Sequence, residues 1–573
     1  MRVARLQWSL FSNDRAGRRD KLSPKVTDEV SKLLYFIPAW YQQNKWKELE
    51  QSWHTRRMHT EFDDTVKQVQ MFHRSGMHDF RILLLSHTPN FRHFLHRQGV
   101  LHASYWSCFD AIQEVTKKKA VVFSFHNLNW PEGIEFVYTP FVVVAYLKNE
   151  KYAQIEFGEA GNPIEVALYK DGLVSKRNIY DDRGFVSAME AYDQGKLLYT
   201  DYLTEAGVAK LREYADDGRV EINPQNNTFL VFVDEEVETV EFSSLNYPNL
   251  GEVIREVFYT HILMNNEDDI FCIAMHDQNV LVANELIGRE KCILSFYGDR
   301  YRIKDHPEAK DLVKKAGYII TDSEATSRYL VRELGEEIEN LIDISPYDSR
   351  MDFGISGELT VQKVLVPVDD LPEDRFKALI IQLATYLPQN ENAMIHLFTR
   401  NATYNWPDVL LNRVADIVEE AGFDRRMVIP EEIEDDTAEN DLDLEDEDEE
   451  EIPVRFFVEQ CVDELSVSKC IREQRIMVDM RHNPDLYLQI NCISTAIPQI
   501  IRRETQYMQN MYNGFVVKDF EQIPAALDYF LGSLANWNQA KVYSYEIAQK
   551  FTTRKLLEKW KEVRAYMEGQ ESK

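Results

Sequence analysis

The sequence predicts an α/β protein built from two parallel-sheet units, the first of them interrupted by an antiparallel β sheet. Three features predict it. Before about Glu135, short continuous apolar runs alternate with segments of helical period, the pattern of strands covered on both faces by helices. From there to about Phe242 the helical period fades. Aromatic and β-branched runs recur between turn clusters such as Lys148–Lys151, Glu159–Asn162, Lys170–Gly172 and Asp181–Gly184, which points to antiparallel strands. Alternation resumes at Leu250 and restarts as a second unit near Pro346.

Each element has its own signal. Leu33–Pro38 is an apolar run stopped by proline, and reads as a buried strand. Phe62, Val66, Val69 and Phe72 share one face of a helix over 61–74. Phe80–Leu85 is a second strand, Pro89–Arg97 a helix, and Ala120–Phe125 a third strand. After the β insertion, Phe271–Met275, Lys291–Phe296 and Tyr318–Thr321 read as strands, and Ser323 as the cap of a helix from Glu324. The second unit offers strands at Val364–Val368, Ala393–Phe398, Val454–Val458, Arg475–Asp479 and Gln499–Ile501. Its helices are Glu373–Leu387 and Trp406–Ala421, and helical sequence runs on from Glu521.

Composition narrows the function. The chain has 573 residues, 44% hydrophobic and 12% aromatic, enough for two or three packed domains. Its net charge is −31, of which the lysine- and arginine-free run Glu431–Glu451 supplies −15 and the rest −16. An acidic body repels phosphate backbones, so no nucleic-acid partner is expected. The acidic run reads as a solvated loop, with contact to a basic partner as the other possibility. The six cysteines are scattered without a CxxC pair, as in reduced cytosolic proteins. No stretch is long and apolar enough for a transmembrane helix or a secretory signal. Residues Met1–Lys32 are polar and mildly basic, and read as a disordered appendage.

Motifs for common chemistry are missing. There is no GxxxxGK[ST], no GxGxxG and no HExxH, so neither a phosphate-cradling loop nor a zinc protease site is predicted. His87, His93, His96 and His102 read as ordinary surface or core histidines, and no metal site or cofactor is expected. The most specific pattern is C-terminal: Ile493-Ser494-Thr495-Ala496-Ile497-Pro498, then Tyr507, then Asn513-Gly514. Read as a helix start, a proline-led strand and a turn, it resembles the donor-side segment of two-domain glycosyltransferases of the GT-B type.

Further segments are similar to one family. Leu34–Tyr41, Phe62–Gln68, Tyr180–Phe185, Pro346–Arg350 and Pro498–Val517 appear in the order found in accessory secretory protein one of the bacterial accessory Sec system. The resemblance spans about Leu33 to Trp560. It implies a GT-B-like shape with two Rossmann-like domains and a β-sheet insertion in the first. The expected boundaries are 1–32 for the appendage, 33–135 and 249–345 for the two parts of the first domain, and 136–248 for the insertion. The second domain is expected at 346–552, with the acidic loop at 431–451, and a C-terminal helix at 553–573. The resemblance also implies two companion accessory secretory proteins, the accessory Sec motor ATPase and channel, and serine-rich-repeat adhesin cargo with its glycans. It places the protein in the cytoplasm, peripherally on the membrane export machinery.

The resemblance departs from active enzymes. Active retaining relatives place a glutamate shortly before the small-residue–proline turn, yet Gln489–Thr495 holds no acid and the usual glycine is Ala496. They also place an arginine and a lysine after the first strand of the second domain. Here that strand ends Val368-Asp369-Asp370-Leu371, and a carboxylate close to a diphosphate costs about 1–4 kcal/mol per pair at intermediate dielectric. A non-catalytic subunit is therefore expected, with an active transferase as the alternative. Arg502 and Arg503 read as phosphate or sugar contacts, or as a solvated helix start or subunit contact. The remaining candidate ligand or partner contacts are Trp46, Trp53, Arg350, Ser494, Thr495 and Asn513.

Overall fold

The computed structural model describes residues 33–54, 63–233, 236–265, 269–286, 291–335, 338–430 and 452–569. The expected appendage 1–32 and acidic loop 431–451 lie outside the described residues.

Two parallel sheets form the frame. The first has seven strands in the spatial order Leu341–Asp343, Tyr318–Thr321, Cys292–Phe296, Ile270–Ala274, Leu34–Ile37, Phe80–Leu84, Tyr105–Ser107. The order of strand addition reverses between Leu34–Ile37 and Ile270–Ala274, a switch point of the kind that opens a crevice at the strands' C-terminal ends. The second sheet has six strands in the order Phe456–Gln460, Ala393–Thr399, Gln362–Pro367, Gln474–Asp479, Gln499–Ile501, Gly514–Val516. Its switch point lies between Gln362–Pro367 and Gln474–Asp479. The central strands are buried along their whole length, as their unbroken apolar runs require.

The insertion is a ten-stranded antiparallel sheet, running from Ile134–Tyr138 to Asn246–Tyr247. A hairpin of Thr228–Val233 and Glu236–Glu241 stands apart from it and packs Phe229 and Val231 into the first unit's core. Charge joins sheet to unit. Asp182, in the turn after Leu173–Tyr180, accepts from the backbone N–H groups of Arg92 and His93 at 2.9 and 3.2 Å and from the Arg92 guanidinium. Next to it, Arg183 donates to Asp110 at 2.7 and 2.9 Å and to Asp181 at 2.7 Å. All of Arg92, Asp181, Asp182 and Arg183 are buried. The Tyr180–Phe185 motif is thus an ionic joint.

Two sequence readings are corrected. Ala120–Phe125 is not a strand. Val121 and Val122 are exposed, and the outer position of the first sheet is taken by Tyr105–Ser107, whose Trp106 and Ser107 are buried beside Leu83 and Leu84. A short apolar run has the same composition whether it enters a sheet or crosses a surface, so periodicity alone does not separate the two. Ile493 does not begin a helix either. It lies near the end of the helix Leu486–Thr495, which starts at Asp485, the cap for the N–H groups of Tyr487 and Leu488. Ala496 closes that helix at φ +59°, ψ +44°, a left-handed position that favours glycine. Arg502 and Arg503 accordingly follow the strand Gln499–Ile501 in a loop rather than starting a helix.

The chain's last helix, Thr553–Met567, returns to the first unit. Trp560 is fully buried, edge-on to Phe36 and Phe72 at 5.9 and 5.3 Å between ring centres.

Candidate functional site

Two places bear most directly on ligand binding: the junction between the parallel units at their C-terminal strand ends, and a cavity under the β insertion.

The cleft is defined by contacts between C-terminal strand ends of the two sheets. Asn483, beyond Gln474–Asp479, donates to Asp299, beyond Cys292–Phe296. Gln506 donates to the carbonyl of Asp322 at 3.0 Å. The Tyr507 hydroxyl meets Ser345 Oγ at 2.6 Å, and Tyr297 and Tyr347 share a 2.5 Å hydrogen bond. Lys67 of the first unit pairs with Glu464 of the second.

The charges at the second switch point are turned on one another. Arg481 donates to both oxygens of Asp479 at 2.9 and 2.7 Å, and Asp479 is fully buried. Burial opposes the Arg481 charge, but Asp479 more than offsets it and raises its pKa. Arg400 pairs with Asp485 at 2.8 Å. Asp369 accepts from Thr399 Oγ1 at 2.6 Å and from the Arg400 N–H at 2.7 Å. Asp370 holds φ +62°. Carboxylates thus stand at the strand ends of this switch point, and the guanidiniums of Arg481 and Arg400 already have carboxylate partners.

The sequence candidates fall in different places. Ser494 and Thr495 donate back to the carbonyls of Ile490 and Asn491 on their own helix, at 2.7 and 2.9 Å. The N–H of Arg350 donates to Ser494 Oγ at 3.2 Å, while its exposed guanidinium lies 3.5 Å from Asp348. Arg503 donates to Asn483 at 3.2 Å at the cleft rim, and Arg502 is half-buried beside it. Asn513 is fully buried and closes its own turn, accepting from the Gln509 N–H and donating to the Tyr507 carbonyl, both at 2.9 Å.

Trp46 and Trp53 separate. Trp53 is 48% exposed and leans on Phe141 of the insertion at 6.1 Å. Trp46 belongs to the second place, a cavity of about 350 Å³ between the antiparallel sheet and the first unit. The backbone explains its position: His87 N–H donates to the Trp46 carbonyl at 2.9 Å and Glu48 N–H to the His87 carbonyl at 3.0 Å, so the segment is laid along the end of strand Phe80–Leu84.

Trp46, Tyr202 and Tyr214 give the cavity aromatic walls, and Glu190 and Glu213 give it carboxylates. Glu190 receives the Tyr192 hydroxyl at 2.6 Å, with Lys47 and Arg177 each at 3.4 Å. Glu213 receives the Tyr202 hydroxyl at 3.1 Å. Burial raises the Glu213 pKa, and raises that of Glu165, a further carboxylate on Arg177, to about 7. His87 meets Ser187 Oγ at 2.7 Å. Burial and the charge of Lys47 hold it down to about 3, so it is neutral. Sequence reading missed Glu190 and Glu213, because each lies in a strand pattern of ordinary composition; His87, read as an ordinary surface or core histidine, is a buried one that also lines the cavity. Arg481 carried a signal, an arginine two residues past a strand-ending aspartate.

The fold is GT-B. The pneumococcal O-GlcNAc transferase GtfA, solved with UDP and GlcNAc, is similar over 94% of this chain and 99% of that one, with a TM-score of 0.66 at 10% identity. The crystal structure of accessory secretory protein 1, 2 and 3 in Streptococcus pneumoniae is similar over 94% of this chain and 100% of that one, with a TM-score of 0.74 at 24% identity. In sequence, the accessory Sec system protein one of Streptococcus gordonii is 30% identical over 534 residues, 92% of this chain and 98% of that protein. The sequence profile of the same family, accessory Sec system protein one, matches residues 33–565 here. The chain belongs to this accessory Sec family.

Proposed function

We propose that the chain is a non-catalytic, glycosyltransferase-shaped subunit of accessory Sec export. It works in a complex with two companion accessory proteins and recognises glycosylated serine-rich-repeat adhesin on its way to the motor ATPase and channel, from the cytoplasmic side of the membrane. The carrying observation is the pairing of Arg481 with Asp479 and of Arg400 with Asp485, beside Asp369 and Asp370. A nucleotide diphosphate would have to displace carboxylates, one of them the fully buried Asp479, from partly buried guanidiniums and then lie beside two more. Removing one partner from such a pair costs several kcal/mol, which a donor's own contacts would first have to offset. The S. pneumoniae neighbour, described as accessory secretory protein 1, 2 and 3, supports the companions. Among the described residues no helix is long and apolar enough to cross a membrane.

The cavity under the insertion supplies recognition chemistry. Aromatic faces suit the C–H faces of sugars, and carboxylates accept sugar hydroxyls. Trp46, Tyr202, Glu190 and Glu213 offer both. Sites of a few hundred Å³ hold ligands of this size.

The test has two arms. Purified protein is incubated with nucleotide sugars and assayed for nucleotide release and for a rise in melting temperature, which a micromolar site would produce at millimolar donor. Neither is expected. Glycosylated and bare serine-rich peptides are then compared for binding, and the glycosylated form is expected to bind more tightly. Nucleotide release that depends on Arg481 would return the chain to the active glycosyltransferases.

A further inference from the structure

Among the described residues, one group of histidine, cysteine and carboxylate side chains brings three ligand atoms together. The Sγ atoms of Cys461 and Cys470 and a carboxylate oxygen of Glu459 all lie within 4.8 Å of one another. Topology assembles them from two elements. Glu459 is on the strand Phe456–Gln460, and Cys461 follows two residues later on the same face. Cys470 comes from the helix Glu464–Arg472, which packs on that face after the capping turn at Asp463. The surroundings are apolar: Leu365, Phe398, Val467 and Ile471.

We propose that Glu459, Cys461 and Cys470 hold a zinc ion. Two sulfurs and an oxygen at zinc-bond lengths span edges of about 3.5–4 Å in a tetrahedron, which the observed cluster needs only a small contraction to reach. The donor set selects the metal. Thiolates favour zinc over magnesium or calcium, which take oxygen ligands. A proton on His396 Nδ1 is donated to the Glu459 carboxylate at 2.7 Å, the kind of outer contact that fixes a ligating carboxylate. His396 is buried, and its ring lies on Phe457 at 5.3 Å. The Glu459 side chain is 32% exposed, which leaves an entry path from solvent, the source of a fourth ligand. On binding, both thiols lose their protons to solvent, and two S–Zn bonds form.

The ion has a mechanical consequence. It ties the outermost strand of the second sheet to the helix Glu464–Arg472, and Glu464 is the partner of Lys67 across the cleft. Metal occupancy therefore steadies a contact between the two units. Sequence spacing hides the site, because Cys461 and Cys470 stand on different elements.

The probe is Cd2+, alone or after Zn2+, added to chelator-treated full-length protein. One equivalent of Cd2+ is expected to produce the ultraviolet thiolate-to-metal charge-transfer band, and Zn2+ bound first is expected to compete with it, so that more Cd2+ is needed to reach the same band. The band is expected to vanish in the Cys461→Ser, Cys470→Ser double variant. Glu459→Gln, at a partly exposed position, is expected to keep the fold by circular dichroism and to weaken affinity by at least the roughly ten-fold that loss of an outer-shell partner costs. Absence of the band in the wild type overturns the proposal, as does its survival in the double variant or unchanged affinity in Glu459→Gln. Formation of a Cys461–Cys470 disulfide in place of metal uptake overturns it as well.

Discussion

The guanidinium of Arg564 donates to Asp79 at 2.5 Å, across 485 residues of sequence. The pair anchors the C-terminal helix to the turn before the second strand of the first sheet. It means that the last helix, reached after the whole second unit, completes the first unit's core.

Trp560 tests that closure. It is fully buried against Phe36 and Phe72. Trp560→Ala is expected to cost about 3–5 kcal/mol, as for other buried aromatic deletions. Chemical denaturation followed by circular dichroism gives the number. A loss below about 1 kcal/mol, the scale of a surface substitution, would mean the helix is only laid on the surface.

The ionic joint of the insertion predicts a second loss. Asp182→Ala leaves the Arg92 guanidinium buried and removes the cap on its helix. Breaking one side of a buried pair costs about 3–5 kcal/mol. Hydrogen exchange should show the loss concentrated where the antiparallel sheet meets the helix Phe91–Arg97. Loss spread evenly over the second unit would contradict the joint.

His87 predicts a pH dependence. Its folded pKa, about 3, lies below the ordinary value of 6.5. As pH falls through 6.5, the unfolded chain takes up the proton first, and the stability present above 6.5 drains away towards pH 3. Between pH 7 and pH 5 that amounts to about 2 kcal/mol. His87→Gln should flatten the acid limb of a stability–pH profile by this amount. His261, also held down to about 3 by burial, keeps its share in the variant. An unchanged slope would show that His87 is protonated in the fold.

The two tryptophans predict different outcomes. Trp53→Ala removes an exposed ring and should leave the melting temperature within about a degree, as surface changes do. Trp46 packs against the first unit's core and lines the cavity. Trp46→Ala should lower stability by about 1–3 kcal/mol and weaken glycopeptide binding beyond what the melt explains. Binding lost only with Trp53→Ala would move recognition to the outer face near Phe141.

Most of the architecture was legible. Strand Tyr318–Thr321 and its cap Ser323 stand where the sequence placed them, because burial on both faces leaves an unbroken apolar run and capping needs a hydroxyl at one position. The antiparallel insertion was legible from its turn clusters for the same local reason. Ala120–Phe125 was misread because its apolar residues cross a surface instead of entering the sheet. The candidate site was far less legible. Thr495 and Asn513 were singled out by their place in a motif, and the fold uses both to hold their own backbone.

By itself, then, the sequence determined most of the order of strands and helices, the two α/β units with their insertion, and the family, since each is written in neighbouring residues and their spacing. Only the tertiary structure decided which charges meet. Arg481 faces Asp479 across a strand end, Lys67 meets Glu464 over the cleft, and Glu190 and Glu213 converge on Trp46 under the insertion. Periodicity reports which face of an element is buried. It carries no record of what, from a distant part of the chain, is buried against it.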